Sequence, residues 1–147
     1  MYGGTAIALY IGHRESVDFD FFGSAHFDPD SLAGKIPFLA EAETIQRAAN
    51  TLTVLIERGG PVQVSFFGVP EIGRVAPPAQ AADNGLKVAS LLDLAGMKAS
   101  VVQKRAEAKD YIDLHALIGH GIDLPTGVVC GRGRNPTLSR GHAFRSS

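Results

Sequence analysis

The chain has 147 residues, 45% of them hydrophobic and 20% charged, which is enough to close one soluble domain around a sizeable core. Its net charge of -1 excludes a global attraction to nucleic acid or anionic membrane, so any such contact needs a local patch. A single cysteine, Cys130, excludes an internal disulfide; no basic leader with a long apolar run opens the sequence, so no signal peptide or membrane span is read and the cytoplasm is the expected compartment.

In chain order, Thr5 to Ile11 is expected to form a short helix, entered through Gly3 and Gly4 and ended by Gly12. "SVDFDFF" then alternates, with Val17, Phe19 and Phe21 on one face and Asp18 and Asp20 on the other, the period of a half-buried strand. From Asp28 to about Ala49 the composition predicts a helix, capped by Asp30 or Ser31. "TLTVLIERGGPVQVSFFGV" predicts a hairpin turning at Arg58-Gly59-Gly60-Pro61. The Pro- and Ala-rich stretch from Pro70 to Asn84 reads as loop. "SLLDLAGMKASVVQKRA" predicts a helix with a Ser90/Asp93 capping box, and a second helix follows from Lys109 to about Ile118. These elements give an expected core over residues 1–126. Residues 127–147 hold four arginines and no acid, and are expected to be a loosely packed basic tail or an arm that touches RNA.

Three groups of residues carry candidate chemistry. Asp18 and Asp20 leave the same strand face, roughly 7 Å apart, and two acids facing one way call for a compensating cation. Mg²⁺, or Mn²⁺ in its place, suits a couple of carboxylates plus substrate phosphates. On a solvated strand face the pair would need no ion, yet Asp is a poor strand residue, and two among bulky apolar neighbours favour the metal. Glycines ahead of a helix let a ligand approach the backbone, and the free amides there favour phosphate, so Gly3, Gly4 and the hydroxyl of Thr5 are candidate phosphate contacts. His13 and Arg14, in the loop before the strand, lie near the same place.

The third group lies on the last two helices. Lys98 and Arg105, seven apart, share a helix face where a point charge and a guanidinium fork could grip a triphosphate. Asp110 and Asp113 neighbour each other on the next helix; Asp113, within "YIDLHALI", is partly buried and needs a partner. An ion pair of Asp113 with Arg105 or Lys109, away from the strand carboxylates, competes with a catalytic role. His26, His120 and His142 show no metal-ligand spacing, and Cys130 lacks the partners of a nucleophile.

"GGTAIALYIGHRESVDFDFF" together with "KVASLLDLAGMKASVVQKRAEAKDYIDLHAL" closely resembles the AbiEii-type nucleotidyltransferase-like family, toxin components of type IV toxin–antitoxin and abortive-infection systems. The resemblance covers residues 3 to about 118. It implies a minimal α/β nucleotidyltransferase core of the DNA polymerase β superfamily, a mixed sheet with flanking helices that binds a nucleoside triphosphate and a divalent metal. Carried over by motif, it implies Gly3, Gly4 and Thr5 as the phosphate-binding turn, Asp18 and Asp20 as metal ligands, Lys98 as the family's helix lysine, and Asp110 and Asp113 as its final acidic motif. It further implies an RNA acceptor, tRNA among the candidates, or a protein hydroxyl, and a cognate antitoxin as partner. The pattern departs from the family's in three places. The hairpin strand offers Gln63 and Ser65 where many nucleotidyltransferases have a third carboxylate, and the nearest acid is Glu57 on the preceding strand. Only Met1 and Tyr2 precede the Gly-Gly turn, and the basic tail stands in place of a helical region. The expectation is therefore a core trimmed at both ends: an enzyme, or a catalytically weak remnant that acts by binding its antitoxin.

Overall fold

A computed structural model of the chain describes residues 1–105 and 107–124. The first helix, α1, runs Gly3–Ile11, two residues earlier than predicted. Gly12 ends it in the left-handed conformation, φ 66°, with its N–H on the Ala8 carbonyl. The carboxylate strand β1 covers Phe19–Gly23. Asp18 thus stands one residue ahead of the strand, and Val17 is exposed rather than packed.

The long helix expected from Asp28 to Ala49 does not form. A short helix, α2, covers Pro29–Lys35; its cap is Asp28, whose carboxylate accepts from the Ser31 N–H at 2.8 Å, and not Asp30 or Ser31. Pro37 then forces Ile36 into an extended backbone and starts a 3₁₀ turn over Pro37–Glu41. The remainder becomes an edge strand, β2, over Glu43–Ala48. Glu43, Gln46, Arg47 and Ala48 are helix formers, but pairing with the next strand outweighs that weak preference. Asn50, at φ 57°, makes the tight turn into that neighbour, and its Oδ1 accepts from the Phe27 N–H.

The hairpin is where the sequence puts it: β3 over Thr51–Glu57 and β4 over Pro61–Gly68, turning through Gly59 and Gly60, both at positive φ. β1 adds to β4 in parallel, giving a four-stranded mixed sheet in the order β1-β4-β3-β2. Within the 70–84 loop and just after it, two-residue strands β5 (Ala79–Gln80) and β6 (Lys87–Val88) pair with each other. Two helices close the described part, α3 over Leu91–Lys104 and α4 over Ala108–Gly119. The Ser90 hydroxyl caps α3 by accepting from the Asp93 N–H and donates back to the Asp93 carboxylate, which also accepts from the Val75 N–H.

Two apolar clusters hold these layers. One face of the sheet, with Leu52, Val54 and Val64, packs under Leu39 of the 3₁₀ turn and the side chains of α2. On the other side α1, α3 and α4 join through Ala6, Ile7, Leu94, Ala95 and Leu117, small residues alternating with large ones so that the helices approach closely. Stacked Phe21 and Phe66, 5.4 Å apart, and Phe22 with Phe67, 4.8 Å apart, fasten the parallel seam on its two faces. The helices cover only part of their side of the sheet. The uncovered part is the floor of a cleft. The basic tail, 127–147, lies outside the described residues.

Candidate active site

The cleft has a volume of about 540 Å³, in the range that small-molecule and cofactor sites occupy. One end is charged: Gly3 and Gly4 of α1, Arg14, Asp18 and Asp20, Lys98 of α3 and Asp110 of α4. Beyond them the floor continues through Gln63, Ser65, Thr53 and Gln46, walled by Met97 and Val101, with Arg105 and Lys109 also in the lining.

Asp18 is exposed and Asp20 half-buried, and neither is in an ion pair with any described residue. Burial pushes the Asp20 carboxyl above the ordinary aspartate value, and the charge of Asp18 adds to the rise. A hydrogen bond with Ser65, directly opposite on β4, works the other way. Ser65 in turn accepts from the Thr53 hydroxyl at 3.3 Å, so a short polar ladder steadies Asp20 from the sheet side. Two carboxylates without an ion pair at the edge of the cleft form a hard oxygen donor set, which fits a divalent cation that keeps water or phosphate as its remaining ligands. Among the described residues no group of three or more His, Cys, Asp or Glu side chains is placed to hold a metal ion. Glu57, the acid nearest in sequence to the place of a third carboxylate, is exposed and does not line the cleft.

The glycines are there because the backbone must come close. Gly3 adopts φ +80°, and a Cβ on it would stand 2.5 Å from Asp20 Oδ2. A Cβ on Gly4 would collide with Arg14 Nη2 and stand 3.1 Å from Asp113 Oδ2. Thr5 departs from its expected place. It is buried, hydrogen-bonded to Ser16 Oγ at 2.8 Å and to the Asp18 carbonyl, so it ties α1 to the carboxylate strand instead of facing the cleft.

Asp113 likewise does not face the cleft, and the expectation that it orients substrate or acts as a base is corrected by its surroundings. It is fully buried, with Arg14 as a fork (Nε to Oδ1 at 2.7 Å, Nη2 to Oδ2 at 3.0 Å), His13 Nε2 at 2.7 Å from Oδ1 and Lys98 Nζ at 2.9 Å from Oδ2. Burial alone would raise its pKa, but hydrogen bonds from Arg14, His13 and Lys98 outweigh that and hold the carboxyl far below the usual range. The Asp113 bond also raises the pKa of Arg14. Asp110 is buried too. It accepts from Lys98 Nζ at 2.9 Å and from the Glu107 N–H at 3.3 Å, and these bonds lower its pKa against the burial. His13 belongs to this buried network, while Arg105 sits at the rim, paired with Glu107 at 3.0 Å, as does Lys109 at 3.2 Å. The rival pairs of Asp113 with Arg105 or Lys109 are therefore absent. Asp113 aims two other cations, Arg14 and Lys98, at the cleft that both of them line.

Sequence reading missed Ser16, Thr53 and Gln46 as cleft residues. Gln46 was hidden by the mistaken helix. Ser16 and Thr53 carry no local signal, because only strand order and the fold of the loop bring them to the cleft.

A mixed sheet with a carboxylate pair at its parallel seam, beside a Gly-Gly helix start and cations held on buried acids, makes this an α/β protein with a charged cleft. Residues 1–132 match the family described as Nucleotidyl transferase AbiEii toxin, Type IV TA system, and the chain belongs to that family. It is also similar to an uncharacterized protein of Aquifex aeolicus (strain VF5), 34% identical over 125 residues. That match takes in 83% of this chain and 59% of the relative, so the chain spans about three fifths of the relative's length. No helix among the described residues is long and apolar enough to cross a membrane.

Proposed function

We propose that the protein is a toxin-type nucleotidyltransferase that moves a nucleotidyl group from a nucleoside triphosphate to a hydroxyl acceptor, with RNA, tRNA included, as the acceptor class. The observation that carries this is that Asp18 and Asp20, without an ion pair, line one cleft together with Gly3, Gly4, Arg14 and Lys98. The acceptor oxygen forms a bond to the α-phosphorus, the bond from that phosphorus to the bridging oxygen breaks, and pyrophosphate leaves. Asp18 and Asp20 would hold Mg²⁺ or Mn²⁺, which when bound neutralises phosphate charge and polarises the reacting phosphorus. The α1 amides at Gly3 and Gly4 bind phosphate oxygens, and Arg14 and Lys98 offset their charge. The acceptor proton passes to water in the cleft, since Asp113 is fully buried and closed off from that task. A cognate antitoxin is the partner that the family suggests.

A second reading, a catalytically weak protein that works by binding the antitoxin, draws on Ser65 and Gln63 standing where a third carboxylate would complete the site. Incubation with triphosphates labelled on the α-phosphate, Mg²⁺ and bulk RNA separates the two. The enzyme reading expects label on the acceptor, lost in Asp18→Asn and Asp20→Asn. Absence of transfer to RNA or protein, with antitoxin binding intact, would leave the second reading in possession.

A further inference from the structure

Asp18 and Asp20 offer carboxylate oxygens from one strand, and a hard divalent cation takes further oxygen ligands. The neighbouring strand decides where one can come from. β1 and β4 run parallel, with Phe19 beside Val64 and Asp20 beside Ser65. Continued one residue back, that register sets Asp18 beside Gln63, and the two-residue period of a strand turns Gln63 to the same face as Ser65. Asp18, Asp20, Gln63 and Ser65 all line the cleft, at the corners of a rectangle roughly 5 Å by 7 Å across the seam. The Ser65 hydroxyl is engaged with Asp20 and Thr53. Ser16, also in the lining, is tied to Thr5, and Asp110 is held by Lys98. Gln63 differs from these: it is half-buried, and its carboxamide makes no hydrogen bond to any described residue. Its partner on the other side, Leu55 of β3, offers it no polar group.

We propose that the Gln63 carboxamide oxygen is a further, neutral ligand of the divalent cation that Asp18 and Asp20 would hold. The inference rests on the transferase reading and on its metal site. A side-chain amide oxygen is a hard donor of the kind Mg²⁺ and Mn²⁺ accept beside carboxylates. A polar group drawn partly out of water without a partner costs free energy, and a cation at its oxygen offsets that cost. Two carboxylates and an amide carry two negative charges, which one divalent ion cancels. An acid in the place of Gln63 would grip the ion harder but leave excess negative charge toward an anionic triphosphate. The amide holds the ion more weakly and keeps its field directed at phosphate. The same corner accounts for a metal site without a third His, Cys, Asp or Glu side chain among the described residues.

The test titrates the full chain with Mn²⁺ alone and follows the loss of the free-ion electron paramagnetic resonance signal. Gln63→Met keeps the length and bulk of the side chain and removes the oxygen; Gln63→Glu keeps the oxygen and adds a charge. Groups that support a bound metal typically change its affinity by roughly 10- to 100-fold, and water can fill this corner, so Gln63→Met should bind about tenfold more weakly. Gln63→Glu should bind about tenfold more tightly than wild type, since the added charge favours the cation. Urea midpoints establish that each variant is folded; should Gln63→Met not fold, Gln63→Asn, which withdraws the oxygen by one bond, decides on the same criterion. Binding by that variant within about twofold of wild type overturns the inference whatever Gln63→Glu does, because a tighter Glu variant alone reports only the added charge. With Mn²⁺ binding still lost in Asp18→Asn/Asp20→Asn, that outcome leaves the transferase reading untouched. No Mn²⁺ binding by the wild type, or equal binding by the double Asn variant, overturns the metal site of the transferase reading and the inference with it.

Discussion

The protein carries two pairs of aspartates close in sequence, and the fold treats them oppositely. Asp110 and Asp113 are buried among Lys98, Arg14 and His13, and both titrate below the ordinary value. Asp18 and Asp20 stand at an open cleft with no ion pair to a described residue, and the carboxyl of Asp20 is pushed above that value by burial. An acid with every lone pair occupied organises its neighbours. An acid left uncompensated beside a cleft is available to a ligand. The first pair makes the scaffold of the charged end, and the second makes its chemistry.

The comparison breaks most visibly at Asp113. Removing one partner of a buried ion pair typically costs about 3–5 kcal/mol, because the remaining charges lose their compensation. Asp113→Asn should therefore lower unfolding free energy by about that amount in urea titrations. A loss under about 1 kcal/mol would mean that Asp113 is not the anchor its contacts suggest.

Gly4→Ala should come next. Its methyl group displaces the Arg14 guanidinium from the Asp113 fork without removing any charge. A stability loss of about 1–3 kcal/mol is expected, together with weaker binding of tripolyphosphate, and calorimetry of both reads the two effects apart. Unchanged values would show that Arg14 has another seat.

At the open pair the sign reverses. Asp18→Asn/Asp20→Asn should leave the ligand-free protein as stable as wild type or slightly more so, since like charges are relieved. The same variant should lose the rise in melting temperature that Mg²⁺ or Mn²⁺ with a nucleoside triphosphate confers by mass action. Retention of that rise in the double variant would remove both residues from the metal site.

Acid sharpens the contrast further. Asp113 has a folded pKa depressed below its ordinary 3.8, so its contribution is complete above that value and is lost as pH falls below it. Asp20 has a folded pKa raised above 3.8, so ionising it costs stability as pH rises through the raised value, and acidifying back towards 3.8 restores it. Unfolding free energies measured across pH 3 to 7 should show Asp20→Asn lacking a gain between neutrality and about pH 4. Asp113→Asn should lack part of the loss below about pH 4. The smallest effect belongs to the rim: Arg105→Ala, which breaks an exposed pair with Glu107, should change stability by less than about 1 kcal/mol.

Local chemistry made much of this legible in the sequence. Alternation in "DFDFF" marks the carboxylate strand, Gly12 ends α1, Gly59 and Gly60 turn the hairpin, and Ser90 caps α3, because each depends only on residues a few positions away. The family likeness followed from the same short motifs, and the family match confirms it. Local reading failed where a distant strand decided the outcome. Residues 43–48 have a helical composition and become β2 because β3 offers an unpaired edge, and that choice brings Gln46 to the cleft. Thr5 and Asp113 look like site residues from their motifs, yet packing buries both and turns them into supports. A motif states which side chains are near in sequence. Whether a carboxylate meets ligand or meets Arg14 and Lys98 depends on burial and on charges brought from about a hundred residues away, and the tertiary structure alone decides that.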